Sequence, residues 1–323
     1  MRKTQMNNVV TLKDCAEILK NRDNILILCH RSPDGDTIGS AFALLYALQK
    51  IGKKCMVDCS DTFAKKYSYI LKSAKHQQFT PEFIVAVDVA AQDMLGEKFK
   101  DTVPDLVIDH HISNTNYGKQ NCVIDNGANC ENIYELIKLL DVEIDRDIAN
   151  ALYTGVATDT GCFKFSNTTA NSHIIVADLI KHGADFNDIN RVMFDTKSHG
   201  RLQIEQYVYS NVTIFAKSRA AIIDIPFSVC EKAKATPEEL DGITGLPRQI
   251  EGVLIGITVR EQKDGSIRAS VRTHSPFDAS LLCQKFGGGG HIRAAGCSFK
   301  CSITEARKQL ISAAEEMLKD YNE

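Results

Sequence analysis

The sequence predicts an α/β fold: a parallel-sheet N-terminal domain with helices on both faces, followed by a smaller α+β C-terminal domain. Three observations predict it. Short apolar runs alternate with amphipathic helical stretches in the first part of the chain, the pattern of a parallel sheet covered by helices. Further along, the period changes to strand-like alternation. Acidic and imidazole side chains recur where the apolar runs stop, which is where α/β proteins place their chemistry.

Strands are expected over Ile25–Cys29, Lys54–Asp58, Phe83–Asp88 and Leu106–Asp109, with a weaker one over Asn121–Ile124. After the first, Gly39 and Ser40 open a helix whose apolar positions Ala41, Leu44, Leu45, Leu48 and Ile51 recur at helical spacing, and Gly52 closes it. The pattern is helical again from about Ala170 to Gly183. The charged stretch from Asn187 to Gln206 has helical character but no strong apolar face, and reads as a linker. The organisation expected is a catalytic domain over 1–186, a helical linker over 187–210 and a substrate-binding domain over 211–323.

In that last part VTIFAK, AAIIDI, GVLIGITVRE and SIRASVRT read as strands, with Lys263-Asp264-Gly265 as the hairpin turn between the last two. Asp278 is placed to cap the helix ASLLCQKF. The run Gly287–Gly290 ends that helix and leaves backbone without Cβ atoms before the strand AAGCSF.

A length of 323 residues suits roughly two domains. The formal net charge of −3 does not give the basic surface of a protein that tracks long nucleic acid, though a short phosphate ester held locally remains allowed. Eleven cysteines, an odd count in a chain whose first residues lack a signal-peptide core, read as reduced thiols packed as small hydrophobes. Cys55, Cys59, Cys297 and Cys301 would form a zinc site only by converging, and buried thiols are the expected reading. No stretch approaches the ~20 apolar residues of a membrane helix, so a cytoplasmic protein with no membrane partner is expected.

The chemistry is concentrated in ILILCHRSPDGDTIGS, where His30, Asp34 and Asp36 follow the first strand, with Pro33 and Gly35 setting turns on a loop. Asp88 follows FIVAV, Asp109-His110-His111 closes LVI, and Asp159 ends the ALYTGVAT stretch. Taken alone, Asp34-Gly35-Asp36 also reads as a surface turn, and Asp88 as a helix cap. Together they supply enough hard ligands for two divalent metals. Carboxylates and imidazoles without thiolates suit two Mn²⁺ first, with Mg²⁺, Fe²⁺, Co²⁺ and Zn²⁺ as other occupants.

HRSPDGDTIGS, VDVA, DHH, ATDTGCF and GGGGHIRAAG, in that order, carry a resemblance from about Ile25 to Cys297. The chain resembles the DHH phosphoesterases, in their two-domain nanoRNase and pAp phosphatase branch. The resemblance implies that His30, Asp34 and Asp88 hold one metal and that Asp36, Asp88, His110 and Asp159 hold the other, with Asp88 bridging. It leaves Asp109 to orient a neighbouring histidine and His111 to face the substrate phosphate. It further implies that Gly288, Gly289, Gly290 and His291 contact substrate, and that Arg272, and less strongly Arg248, reach a terminal phosphate.

The implied activity is hydrolysis of short RNA oligonucleotides to mononucleotides and removal of phosphate from 3′-phosphoadenosine 5′-phosphate (pAp), with linear or cyclic dinucleotides as additions. Long duplex nucleic acid is not an expected partner, and a homodimer is reasonable. Val89, Ser32 and Thr37 depart from the usual pattern without removing a ligand. Within the same chemistry a RecJ-like single-strand exonuclease or a pyrophosphatase-type enzyme is the alternative; from another class, a catalytically silent nucleotide sensor.

Overall fold

The computed structural model describes residues 8–236, 240 and 242–319. The chain divides into two compact units, Met1–Thr196 and Lys197–Glu323. No helix among the described residues is long and apolar enough to cross a membrane.

The first unit is built on five parallel strands: β1 (Ile25–Leu28), β2 (Cys55–Asp58), β3 (Phe83–Val87), β4 (Leu106–Asp109) and β5 (Asn121–Val123). All five lie where the apolar runs predict them, with ends shifted by at most one residue. Their order across the sheet is β2-β1-β3-β4-β5, so the progression reverses between β1 and β3. At such a reversal the connections leave in opposite directions and open a crevice at the carboxyl ends of the strands.

One face of the sheet, through Ile25, Ile27, Val85, Val87, Leu106 and Ile108, shares a core with α1 (Leu12–Lys20), α2 (Gly35–Lys50), α4 (Asn129–Leu139) and α5 (Arg146–Asp159). A short helix, α3 (Ser68–Leu71), follows β2, and α6 (Ala170–Lys181) follows α5. The other face, through Leu26, Leu28, Ala86 and Val107, is covered by Val89, Met94, Leu95, Phe99 and Tyr117, with Gln92–Leu95 forming a 3₁₀ turn.

Helix α2 begins four residues before the expected Gly39. Asp34 explains the early start: its Oδ1 accepts the amides of Asp36 at 3.0 Å and Thr37 at 3.1 Å, satisfying N–H groups that a helix start leaves unpaired. Asp36 therefore rides on the first turn of a helix and not on the expected loop.

Helices α2 and α5 cross at small residues. A Cβ on Gly39 would lie 2.4 Å from Ala151 O, and one on Gly155 would lie 2.1 Å from Cys130 Sγ and 2.7 Å from Asp36 Oδ1. This close approach lets the carboxyl end of α5, with Asp159, reach the amino end of α2. The ALYTGVAT stretch is thus the body of a helix.

The segment expected as a linker is helical and is shared between the units. Helix α7 (Phe186–Asn190) buries Ile189 in the first core, whereas α8 (His199–Asn211) packs Ile204 and Val208 against Ile223 and Ile225 of the second unit.

The second unit has a six-stranded mixed sheet, β6 (Thr213–Phe215), β7 (Ala220–Ile225), β8 (Ile255–Glu261), β9 (Ile267–Thr273), β10 (Gly289–His291) and β11 (Ala294–Phe299), in the order β10-β11-β9-β8-β7-β6. Among the described residues of this sheet only the β7–β8 pair is parallel. The expected turn after β8 forms, with Gln262 N donating to Ser266 O at 2.8 Å.

Ile255, Ile257, Val259, Ile267, Ala269 and Val271 pack beneath α10 (Ala279–Gln284), which Asp278 caps as expected, and α11 (Ile303–Leu318). On the opposite face, Ile223 and Ile225 meet α8, α9 (Phe227–Ala233) and the 3₁₀ segment Gly242–Gln249.

Candidate metal centre

The crevice between β1 and β3 is where the first unit gathers its polar side chains. His30 follows β1, Asp34 caps α2, Asp36 lies on its first turn, Asp88 follows β3, His110 and His111 follow β4, and Asp159 ends α5. Among the described residues three groups have ligand atoms close enough to share an ion: His30, Asp34 and Asp88; Asp36, His110 and Asp159; and Asp88, His110 and His111.

Nε2 of His30 stands 3.6 Å from Asp34 Oδ1 and 3.8 Å from Asp88 Oδ2. Nε2 of His110 stands 3.5 Å from Asp88 Oδ1, and 3.9 Å from one oxygen each of Asp36 and Asp159. Both rings are oriented by carbonyls, with Nδ1 of His30 at 2.7 Å from Arg31 O and Nδ1 of His110 at 3.0 Å from Asn126 O. A proton on each Nδ1 leaves Nε2 as the lone pair facing the cluster, the usual arrangement behind a metal-binding imidazole.

Asp109 is fully buried, and its Oδ1 accepts from His111 Nδ1 at 2.8 Å. Because that nitrogen serves Asp109, His111 offers only Nε2 outward.

The electrostatics favour a cation. Burial first, then the charges of Asp36, Asp34, Asp109 and Asp159, drive the Asp88 carboxyl well above its ordinary range. Asp36 is raised by burial despite His110 beside it, and Asp159 is pushed up to about 7 by burial and the Asp36 charge. Asp109 is buried too and Asp34 is exposed at the rim of the cluster, yet His30 and backbone amides hold Asp34 below its usual value, and His111 and Asn114 do the same for Asp109.

Asp88 Oδ1 is buried with no hydrogen-bond partner, although such oxygens are almost always paired. Its backbone is also strained, at φ +57°, a left-handed conformation that costs about 1–3 kcal/mol and persists where the surroundings impose it. A buried oxygen without a donor, ringed by like charges and lone pairs, fits a bound cation, and in its absence a proton on the carboxyl.

Sequence reasoning missed the asparagines that support this cluster. Asn114 donates to Asp109 Oδ2 at 2.5 Å, Asn167 to Asp159 Oδ2 at 3.3 Å, and Asn132 to Asp109 O at 3.3 Å. The amides of Asn129 and Cys130, at the start of α4, hold both oxygens of Asp36 at 2.6 and 2.9 Å. The signal was present in NGANCEN, a polar run at a helix start, but its partners lie about ninety residues away in sequence.

In the second unit two of the residues expected to bind substrate, Arg272 and His291, lie on one row of the sheet. Gly256 of β8, Arg272 of β9, Ala294 of β11 and His291 of β10 are successive cross-strand partners. Arg248 packs over Gly256, where a Cβ would lie 2.6 Å from its amide nitrogen. Burial first and the Arg248 charge second hold the Arg272 guanidinium below its ordinary value.

The glycine run is an exposed edge hairpin with its own structural needs. A Cβ on Gly288 would meet Gly296 O at 2.2 Å, and Gly290 has φ +144°. Gly289 faces open space, so its missing side chain is not demanded by packing.

The fold and site define a class. Residues 24–156 match the DHH family N-terminal domain and residues 220–320 match the DHHA1 domain. The chain belongs to the DHH family. A relative from Thermus thermophilus, the bifunctional oligoribonuclease and PAP phosphatase NrnA, is 30% identical over 316 residues, covering 94% of this chain and 93% of that one. The protein of the same description from Bacillus subtilis is 25% identical, over 85% of this chain and 89% of its own. An exopolyphosphatase-related protein of Bacteroides fragilis superposes with a TM-score of 0.82 at 25% identity, covering 96% of this chain and 98% of that one. RecJ from Thermus thermophilus in complex with Mn²⁺ shares the fold, with a TM-score of 0.56 at 10% identity over 99% of this chain and 56% of its own.

Proposed function

We propose that this protein is a metal-dependent phosphoesterase that hydrolyses short RNA oligonucleotides to mononucleotides and removes phosphate from pAp, with linear or cyclic dinucleotides as further substrates. The observation that carries the reading is the unpartnered, buried Asp88 Oδ1, whose carboxylate belongs to two of the three ligand groups. The relatives described as oligoribonuclease and PAP phosphatase, matched over nearly the whole chain, support the substrate class.

In this reading His30, Asp34 and Asp88 hold one cation, and Asp36, Asp88, His110 and Asp159 hold the second, manganese being the preferred metal and magnesium the next. When bound, such a pair lowers the pKa of a water and neutralises phosphate oxygens. The chain's own residues do the rest. Arg31 and Asn126 carbonyls fix the imidazoles of His30 and His110. Asp109 keeps a proton on His111 Nδ1 and raises that ring's pKa, so Nε2 presents a hydrogen bond or a proton to the substrate phosphate. Arg272, Arg248 and His291 grip a terminal phosphate, and the open backbone at Gly289 allows close approach.

The test is a side-by-side assay with Mn²⁺ of RNA oligomers from dinucleotide upward, pAp, a cyclic dinucleotide and inorganic pyrophosphate. Mononucleotide release fastest from the shortest RNAs, with phosphate release from pAp, is the expected outcome. Inertness toward every phosphate ester, or binding of a dinucleotide without turnover, refutes it.

A further inference from the structure

The face of the second sheet that carries Arg272 continues past it. Antiparallel pairing of β8 with β9 sets Gly256 opposite Arg272, Thr258 opposite Ser270 and Arg260 opposite Arg268. Thr244, Thr258, Arg260, Arg268, Ser270 and Arg272, with Ile225 and Leu240, line a single cavity of about 290 Å³. Two guanidiniums directly across from one another repel, and cross-strand neighbours of like charge destabilise a sheet. Among the described residues neither Arg260 nor Arg268 takes part in an ion pair: Glu261, beside Arg260 in sequence, accepts from the Phe227 amide, and Asp224 is bound by Arg307. Asp264 feels the Arg268 charge, and Glu231 and Glu261 share a second cavity with both arginines, but among the described residues none pairs with either. A sheet that places two arginines without ion-pair partners opposite each other next to a cavity is prepared for an anion from outside.

The anion has a shape. From Arg268 to Arg272 is four residues of strand, about 13 Å at the usual rise. Charged groups thus stand at both ends of the cavity with hydroxyls between them. One phosphate is too small to reach both ends, whereas a chain of phosphodiesters spans them. Ile225 and Leu240 add an apolar wall that suits a base or sugar.

We infer that Arg260 and Arg268 form a second phosphate site, which takes a backbone phosphate of an oligonucleotide whose terminal phosphate lies at Arg272. This rests on the proposed function for the choice of oligonucleotide, but the anion site itself lies wholly within the second unit. It makes discrimination by length a property of that sheet face: a substrate with phosphates at both ends of the cavity gains affinity that one with a single phosphate does not.

The experiment uses the full chain with Arg260→Gln and Arg268→Gln, singly and together. With EDTA present, calorimetric affinity for inorganic pyrophosphate should fall at least tenfold in the double variant, while its Tm stays equal to or above that of the unaltered protein because a repulsion has been relieved. With Mn²⁺, the KM ratio of trinucleotide to dinucleotide should rise at least tenfold. Pyrophosphate affinity within twofold of the unaltered protein, or a lowered Tm that reveals a structural role, overturns the site. An unaltered protein that binds pyrophosphate yet hydrolyses no phosphate ester refutes the proposed function and leaves the anion site standing.

Discussion

The two units solve opposite electrostatic problems. In the first, Asp34, Asp36, Asp88, Asp109 and Asp159 crowd into one crevice, mostly buried and anchored by amides and asparagines. In the second, Arg260, Arg268 and Arg272 lie on one sheet face with Arg248 of the 3₁₀ segment packed over Gly256, more exposed and with few internal partners. Buried charge must be fixed in place, because repulsion in a medium of low dielectric is large and misplacement is costly. Exposed arginines can wait in water and adapt to a ligand. Under the proposed function the contrast gives metals to the buried site and phosphates to the exposed one, and it accounts for a near-neutral total charge in a chain with two strongly charged regions.

The sharpest way to break the comparison is to remove Asp88. Asp88→Ala should lower kcat/KM by about 10³-fold or more, the size of effect expected when a group that stabilises transition-state charge is lost, and should weaken Mn²⁺ uptake measured by calorimetry. Full activity in this variant removes the dinuclear reading. Next in size is Gly155→Ala, whose new methyl group meets Cys130 Sγ and Asp36 Oδ1. Overpacking should cost about 1–3 kcal/mol of stability by denaturant titration and disturb metal affinity; a variant as stable and as metal-avid as the parent shows that α2 and α5 have room to spare.

On the arginine side, Arg272→Lys should raise KM for phosphate-terminated substrates roughly tenfold, about 1.4 kcal/mol, with little change in kcat, because a lysine cannot form the bidentate fork. An unchanged KM retires that role.

The smallest effect is on pH dependence. Asp36, Asp88 and Asp159 hold protons more tightly when folded than when unfolded, Asp159 up to about 7. His30 and His111 are raised as well. Between the ordinary carboxylate range near 4 and about 7, the folded metal-free chain therefore binds more protons than the unfolded one. Its stability is greatest at the acidic end and falls as pH rises through that window. Asp34 and Asp109 shift downward and lose their contribution only below that window. Melting curves in EDTA at pH 5 and 7.5 should show the lower Tm at 7.5. Asp159→Asn should flatten the difference, and Mn²⁺ at a hundredfold excess over its Kd should add about 2.7 kcal/mol. A Tm independent of pH in EDTA shows that the carboxylates do not repel as the geometry requires.

The sequence by itself marked the five parallel strands, because short, β-branched apolar runs such as ILIL, FIVAV and LVID, too short for a buried helix, suit a buried strand, and it determined which residue types stand at their ends. It also marked the capping role of Asp278 and the change to alternation in the second unit, since these depend on neighbours in the chain. The structure, and not the spacing of apolar residues, showed that Asp34 caps a helix early and so moves Asp36 off a loop. It alone showed that Gly39 and Gly155 let α2 and α5 approach closely enough for Asp36 and Asp159 to face one imidazole, and that Arg260 stands across from Arg268. The helix crossing comes from contacts between residues far apart along the chain, which packing sets and local spacing does not encode; the Asp34 cap and the Arg260–Arg268 pair are contacts two to eight residues apart that backbone conformation and strand register decide.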